Sequence, residues 1–209
     1  MGTYYTVNDG NIVKKDSDVV DQERVYIHYI MNHIKNVNLA FQQLFFNGNQ
    51  YIPNGISEEE YNEAINQLAK EITQHDMSKF SEEEFNSYRI YFYPTKEEKE
   101  NMDSDVDFAN EVNNNFDKAW KHHYQNNDHH TGYWISINED GTKNITDMNL
   151  KAIIHMICDW CAMSYSKTQN FSPIEWYNTK ADIEKSEMSA KTKELVDELL
   201  FLVFSEKAE

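Results

Sequence analysis

The chemistry of this 209-residue chain is first suggested by two neighbours, His75 and Asp76, which close an amphipathic run and precede Met77-Ser78-Lys79-Phe80. An imidazole nitrogen and a carboxylate oxygen on adjacent residues at a helix end can both reach one divalent ion. Such donors suit Mn, Fe, Co, Ni or Zn better than Ca. Four more imidazoles, His122, His123, His129 and His130, fall within nine residues in the segment AWKHHYQNNDHHTGYW. That density favours metal or phosphate chemistry over an exposed polar patch, and Trp120, Tyr124, Tyr133 and Trp134 would partly desolvate the cluster. Asn126-Asn127-Asp128 reads as a turn that lets one His of each pair face a common point; which member of each pair does so is left open.

Helical geometry sorts the remaining candidates. At about 100° per residue, His33 lies beside Ile30 and Val37 on the edge of an apolar stripe, whereas His28 falls opposite it and is expected in solvent. Lys151, His155 and Asp159 line up at i, i+4 and i+8 in a run that is otherwise apolar. Two readings stay open: a solvated stripe with a Lys-to-Asp tether, or an Asp159 that enters the core as a metal ligand.

Long helices must position these residues. A stripe of Ile27, Ile30, Ile34, Val37, Phe41 and Leu44 predicts a helix from Val25 to about Phe46. Ser57-Glu-Glu-Glu60 is a capping box opening a second helix, whose stripe of Tyr61, Ile65, Leu68 and Ile72 delivers His75-Asp76 to the core side. Ser81-Glu-Glu-Glu84 reads as another such box, before a short helix with Phe85, Tyr88 and Arg89. Residues 94–106 read as an acidic loop, and a helix follows from about Asp107 to Tyr124. Residues 134–146 suggest a hairpin around Asp140-Gly141, a pair that favours a tight primed turn. Further helices are expected at about Asp147–Tyr165, after the Ser172-Pro173-x-Glu175 cap, and at about Ser189–Phe204.

With only 3 Pro and 6 Gly, the composition fits a single helical domain over residues 1–209, with 1–20 as a flexible N-terminal segment. A net charge of −17, with Arg24 and Arg89 the only guanidinium groups, argues against general nucleic-acid or anionic-membrane binding. No signal-like apolar stretch and no run of about 18 apolar residues occurs, so a cytoplasmic protein is expected. Met1-Gly2 with Thr6 matches the loose myristoylation pattern, but no polybasic second signal follows. Cys158 and Cys161 form a C-x-x-C inside an apolar run with no second Cys pair, and are expected as reduced core residues.

The order His33, His75-Asp76, Asp159, each on a different helix, resembles the HD-domain superfamily of metal-dependent phosphohydrolases. A closer resemblance covers most of residues 26–177: HIKNV, HDMSKFSEEEF, AWKHHYQNNDHHTGYW, CDW and EWY are similar to the strings of an uncharacterised phage and bacterial family that is itself HD-like. That family has Glu directly before the Met of the helix in which this chain carries His155.

The resemblance implies an all-α, HD-domain-like helical bundle with a small β-hairpin insertion, in which His33, His75, Asp76 and Asp159 bind the metal. One of His122 or His123 and one of His129 or His130 would hold a second ion bridged by Asp76. His123 and His130 stand first in that role, with His122, His129 and His155 behind them. Lys79, and more weakly Arg89, would contact phosphate, with Asp76 and Lys79 serving catalysis. The implied activity is hydrolysis of a small phosphorylated metabolite, most plausibly a nucleotide, through metal-activated water, in the host cytoplasm if the chain is phage-encoded. Two other readings are a di-iron oxygenase and a non-enzymatic protein that keeps the metal pocket to bind a ligand or a host partner.

Overall fold

Ser57, Asn149 and Ser189 show how this sequence starts its helices. Each side chain accepts a backbone N–H, from Glu60 at 3.1 Å, Ala152 at 2.8 Å and Thr192 at 3.1 Å, satisfying donors that a helix cannot satisfy itself. In the computed structural model, residues 17–205 are described throughout, with the backbone alone at 4–8 and 11–15. Among the described residues nine α-helices dominate, joined by short helical turns and two antiparallel hairpins, so the fold is all-α with a small β-hairpin.

Contacts group the chain into two compact units, residues 1–31 with 77–123, and residues 32–76 with 124–209. Within the second unit, α2 (Glu58–Glu71), α6 (Leu150–Thr168) and α9 (Ala190–Phe204) surround the main apolar core. All four stripe residues of α2 and its extension, Tyr61, Ile65, Leu68 and Ile72, are buried as expected. Helix α6 is the central piece: every residue from Ala152 to Cys158 is buried, including Ile153, Ile154 and Ile157. Each such Ile contributes about 1.5–3 kcal/mol through burial. Cys158 and Cys161 are free thiols in this core, and burial pushes the Cys158 thiol well up.

Helix α1 spans Ser17–Phe41 and passes into a π-helical turn at Gln42–Phe46, which turns both Leu44 and Phe45 into the core of the second unit. The predicted stripe holds from Ile30 onward but not at Ile27, which is 39 % exposed. Tyr26 is buried instead, its ring against Phe85 at 5.3 Å and Tyr93 at 5.7 Å.

Several local expectations are corrected. Part of the N-terminal segment expected to be flexible pairs as β1 (Tyr4–Asn8) with β2 (Asn11–Lys15); residues 1–3, 9, 10 and 16 lie outside the described residues. Helix α3 (Phe85–Phe92) starts later than the Ser81 box implies, with Glu84 at its cap position and no side-chain cap, and the Glu84 carboxylate is used elsewhere. The supposed acidic loop is largely α4 (Lys96–Ser104), closed by a reciprocal capping box between Thr95 and Glu98. Helix α5 follows at Val106–Asn126.

The hairpin of β3 (Ile135–Ile137) and β4 (Lys143–Ile145) forms, but with five residues between the strands rather than a tight primed turn. Asp140 closes that loop by accepting from the Thr142 amide and hydroxyl, and Gly141 supplies φ +82°. Helix α7 (Ile174–Lys180) begins one residue later than expected, with Pro173 rather than Ser172 at its cap position, and α8 (Asp182–Ser186) was not foreseen.

Candidate metal centre

The end of α2 sets the geometry of the centre. The helix tightens into a 3-10 turn at Ile72–Gln74, whose last amide bond runs from His75 N to Ile72 O at 3.3 Å. Asp76 then takes φ +57°, a left-handed backbone that Asp tolerates better than most non-glycine residues. His75 and Asp76 are both buried after this reversal, in the second unit. His33 comes from α1 and is buried; Asp159 comes from α6, with its side chain 13 % exposed. His28 lies exposed, as expected.

Four donor atoms converge. His33 Nε2 stands 3.1 Å from His75 Nε2, 3.0 Å from Asp159 Oδ1 and 3.7 Å from Asp76 Oδ2. His75 Nε2 is 3.4 Å from Asp76 Oδ2 and 3.7 Å from Asp159 Oδ1. Nitrogen and oxygen ligands bound at about 2.0–2.2 Å to one ion lie about 3.0–3.6 Å apart in octahedral or tetrahedral arrangements. His33, His75 and Asp76 thus form a group whose spacing could hold a divalent ion, with Asp159 against both imidazoles as a second carboxylate. The solvated-stripe reading of the α6 line is overturned, since Asp159 faces His33 and Lys151 is engaged elsewhere.

The electrostatics agree with that reading of Asp159. Burial alone would raise its carboxyl, but the hydrogen bond and charge of His33, with His75 behind it, hold it well below the usual carboxylate range. Burial drives the His75 ring well down despite Asp76 and Asp159, and it drives His155 down as well. Both rings are thus kept neutral, the state in which a nitrogen lone pair can bind metal.

A second row of imidazoles backs the first. His155 Nε2 lies 2.9 Å from His75 Nδ1, and the rings of His75, His129 and His155 are mutually 4.5–5.0 Å apart. His129 Nε2 approaches the other oxygen of Asp76 at 3.4 Å. Asp76, His129 and His130 each bring a donor atom within 4.8 Å of the others, a further group that could hold an ion. His129 is buried and faces Asp76, whereas His130 is half-buried against Tyr124 at 5.1 Å, and both rings belong to that group.

The loop that carries this pair is fixed at several points. Lys151 binds Asp128 at 2.7 Å and Glu71 at 2.8 Å, and Trp134 Nε1 donates to the Asp128 carbonyl at 2.8 Å. Tyr124 contacts Thr131 at 2.5 Å and donates to Glu187 at 3.0 Å, while Gly132 lies so close that an added Cβ would stand 2.2 Å from Tyr124 Cδ1.

His122 and His123 belong to the first unit, where both bind the wholly buried Glu84 through Nδ1, at 2.8 and 2.9 Å. Ser78 donates to the same carboxylate at 3.2 Å. Burial would raise the Glu84 carboxyl, but these contacts, His123 foremost, hold it below the ordinary value. The Nδ1 contact leaves Nε2 of each ring as the candidate donor, an arrangement common behind metal-binding histidines. His123 is buried, and His122 is 37 % exposed at its side chain. Glu84 was missed as a site residue because its place in a Ser-x-x-Glu pattern suggested a cap.

Arg89 does not serve as an open phosphate contact. It is buried in a two-pronged bond to Glu98, at 2.6 and 2.7 Å, and so ties α3 to the cap of α4. Lys79, on the 3-10 turn Met77–Phe80, holds its ammonium 5.7 Å from the centroid of the Tyr88 ring.

Comparison with known proteins places the chain by family. Residues 22–201 match the model of a family described as a family of unknown function, DUF5662. No curated protein and no solved structure matches it.

Proposed function

We propose, for a chain that belongs to the DUF5662 family, the activity of a divalent-metal-dependent phosphohydrolase on a small phosphorylated metabolite, with a nucleotide as the first substrate to test. The observation that carries this reading is the convergence of His33, His75, Asp76 and Asp159 at 3.0–3.7 Å, the spacing of donors around one ion. Their order along the chain supports kinship with the HD-domain phosphohydrolases.

A divalent ion bound there supplies a hydroxide nucleophile near neutral pH and polarises a phosphoryl oxygen. The chain's own residues then divide the work. His33 and His75 provide neutral nitrogen donors, and Asp76 and Asp159 supply the charge that retains a dication. His129, 3.4 Å from the second oxygen of Asp76, offers a further donor at that carboxylate's other face. The enclosing burial of His75, Asp76 and His129 excludes bulk water from the ligands and strengthens their electrostatics.

A small substrate is favoured because a surface of net charge −17 repels long polyanions. Among the described residues no helix is long and apolar enough to cross a membrane. The test is phosphate release from a panel of nucleotides with Mn, Co or Ni, in the wild type and in His75→Ala and Asp76→Ala. Release that depends on the metal and disappears in both variants is the expected result, and activity unchanged in the variants sinks the reading.

A further inference from the structure

His75 presents its two ring nitrogens to different neighbours. Nε2 faces His33, Asp76 and Asp159, while Nδ1 faces His155 Nε2 at 2.9 Å. A neutral imidazole carries one ring proton, so the two nitrogens cannot both be lone-pair donors. If Nε2 of His75 binds an ion, the proton stands on Nδ1 and is donated to His155 Nε2. The His155 proton must then stand on its own Nδ1. That nitrogen is buried and has no hydrogen-bond partner among the described residues, in a residue only 6 % exposed.

The opposite arrangement, in which His155 Nε2–H donates to His75 Nδ1, puts a proton on the nitrogen that faces the other three ligands and blocks it. The choice between the two tautomers therefore decides whether the centre can fill. His155 is held to that role by its helix: it sits one turn before Asp159 on α6, so the same rigid element fixes a ligand and the partner of another ligand.

We propose that His155 is a positioning residue rather than a ligand: it accepts the Nδ1–H of His75 and so keeps His75 in the tautomer whose Nε2 can bind the ion. This inference rests on the metal-centre reading above.

The experiment uses zinc as the probe, with the full chain. Zinc affinity is measured by competition with a chromogenic chelator for wild type, His155→Gln and His155→Leu, with circular dichroism to establish that each is folded. Gln offers an amide oxygen that can accept the His75 proton, so its affinity should stay close to that of wild type. Leu fills the space and cannot accept, and should weaken binding by about 10–100-fold. Independently of any variant, nitrogen NMR of the zinc-loaded wild type should show His155 protonated at Nδ1 and not at Nε2.

Equal zinc affinity in the Leu variant and wild type overturns the proposal, as does a folded Gln variant as weak as Leu. An unprotonated His155 Nδ1 in the zinc-loaded protein overturns it too. Failure of the wild type to bind zinc removes the metal-centre reading along with this one, whereas zinc bound with any of the other contrary results removes this one alone.

Discussion

At the residue scale, Asp159→Asn keeps the shape of the side chain but removes one of the two carboxylate charges that would face a bound ion. We expect zinc retained after dialysis to fall severalfold in this variant, read by elemental analysis, with little change in helicity. The buried rings give a second expectation, for protein freed of metal. His75 and His155 are held well below the ordinary imidazole value of about 6.5, chiefly by burial. The unfolded chain protonates them near about 6.5 and the folded chain only at lower pH, so acidification favours unfolding. Stability is then full above about pH 7 and falls below it by up to about 1.4 kcal/mol per pH unit for each ring. Urea denaturation in chelator from about pH 5 to 8 measures this, and a flat profile would contradict it. His33 was legible as a candidate from its place on the edge of an apolar stripe, whereas the apolar run around Asp159 left two readings open and only the resemblance chose between them. Which of His129 and His130 is the more buried was not legible, because adjacent residues in a turn have no periodicity to separate them.

At the element scale, the bond between Arg89 and Glu98 ties α3 to α4, and the contacts of Tyr124 brace the turn that carries His129 and His130. Arg89→Ala leaves Glu98 in a partly buried place without its cation, and should cost about 3 kcal/mol in denaturant stability. If its role is to join helices, the KM for a phosphorylated substrate should hardly move. Gly132→Ala forces Tyr124 aside and should cost about 1–3 kcal/mol, with weaker zinc binding as the turn shifts; competition titration reads the second effect. The same elements show what sequence could and could not specify. Ser57 was legible as a cap because the bond is local, within three residues. Thr95 makes the same local bond inside a segment so rich in Glu, Lys and Asp that its composition resembles a solvated loop. Ser81 to Glu84 has the capping pattern, yet Glu84 is taken by His122 and His123, partners 38 and 39 residues away that no local pattern reveals.

At the scale of the whole molecule, an ion that binds the folded chain and not the unfolded one must stabilise it. At a free zinc concentration about 100 times the Kd the gain is about 2.7 kcal/mol, or about 5–10 °C in Tm for a chain of this size. Scanning calorimetry should show that rise in the wild type and none in Asp76→Ala. The excess of acidic residues adds a separate effect: self-repulsion at −17 should make Tm climb with modest salt even without metal. Asp76 joins the centre to the stability of the whole. Its backbone at φ +57° is one that glycine adopts freely and that costs other residues about 1–2 kcal/mol. Without metal, Asp76→Gly should therefore unfold at higher temperature than Asp76→Ala, although neither retains the ion. The carboxylate at this reversal is thus set by the imidazoles it faces and not by the turn, which glycine would make as readily, so selection on the backbone alone would not be expected to keep an acid there.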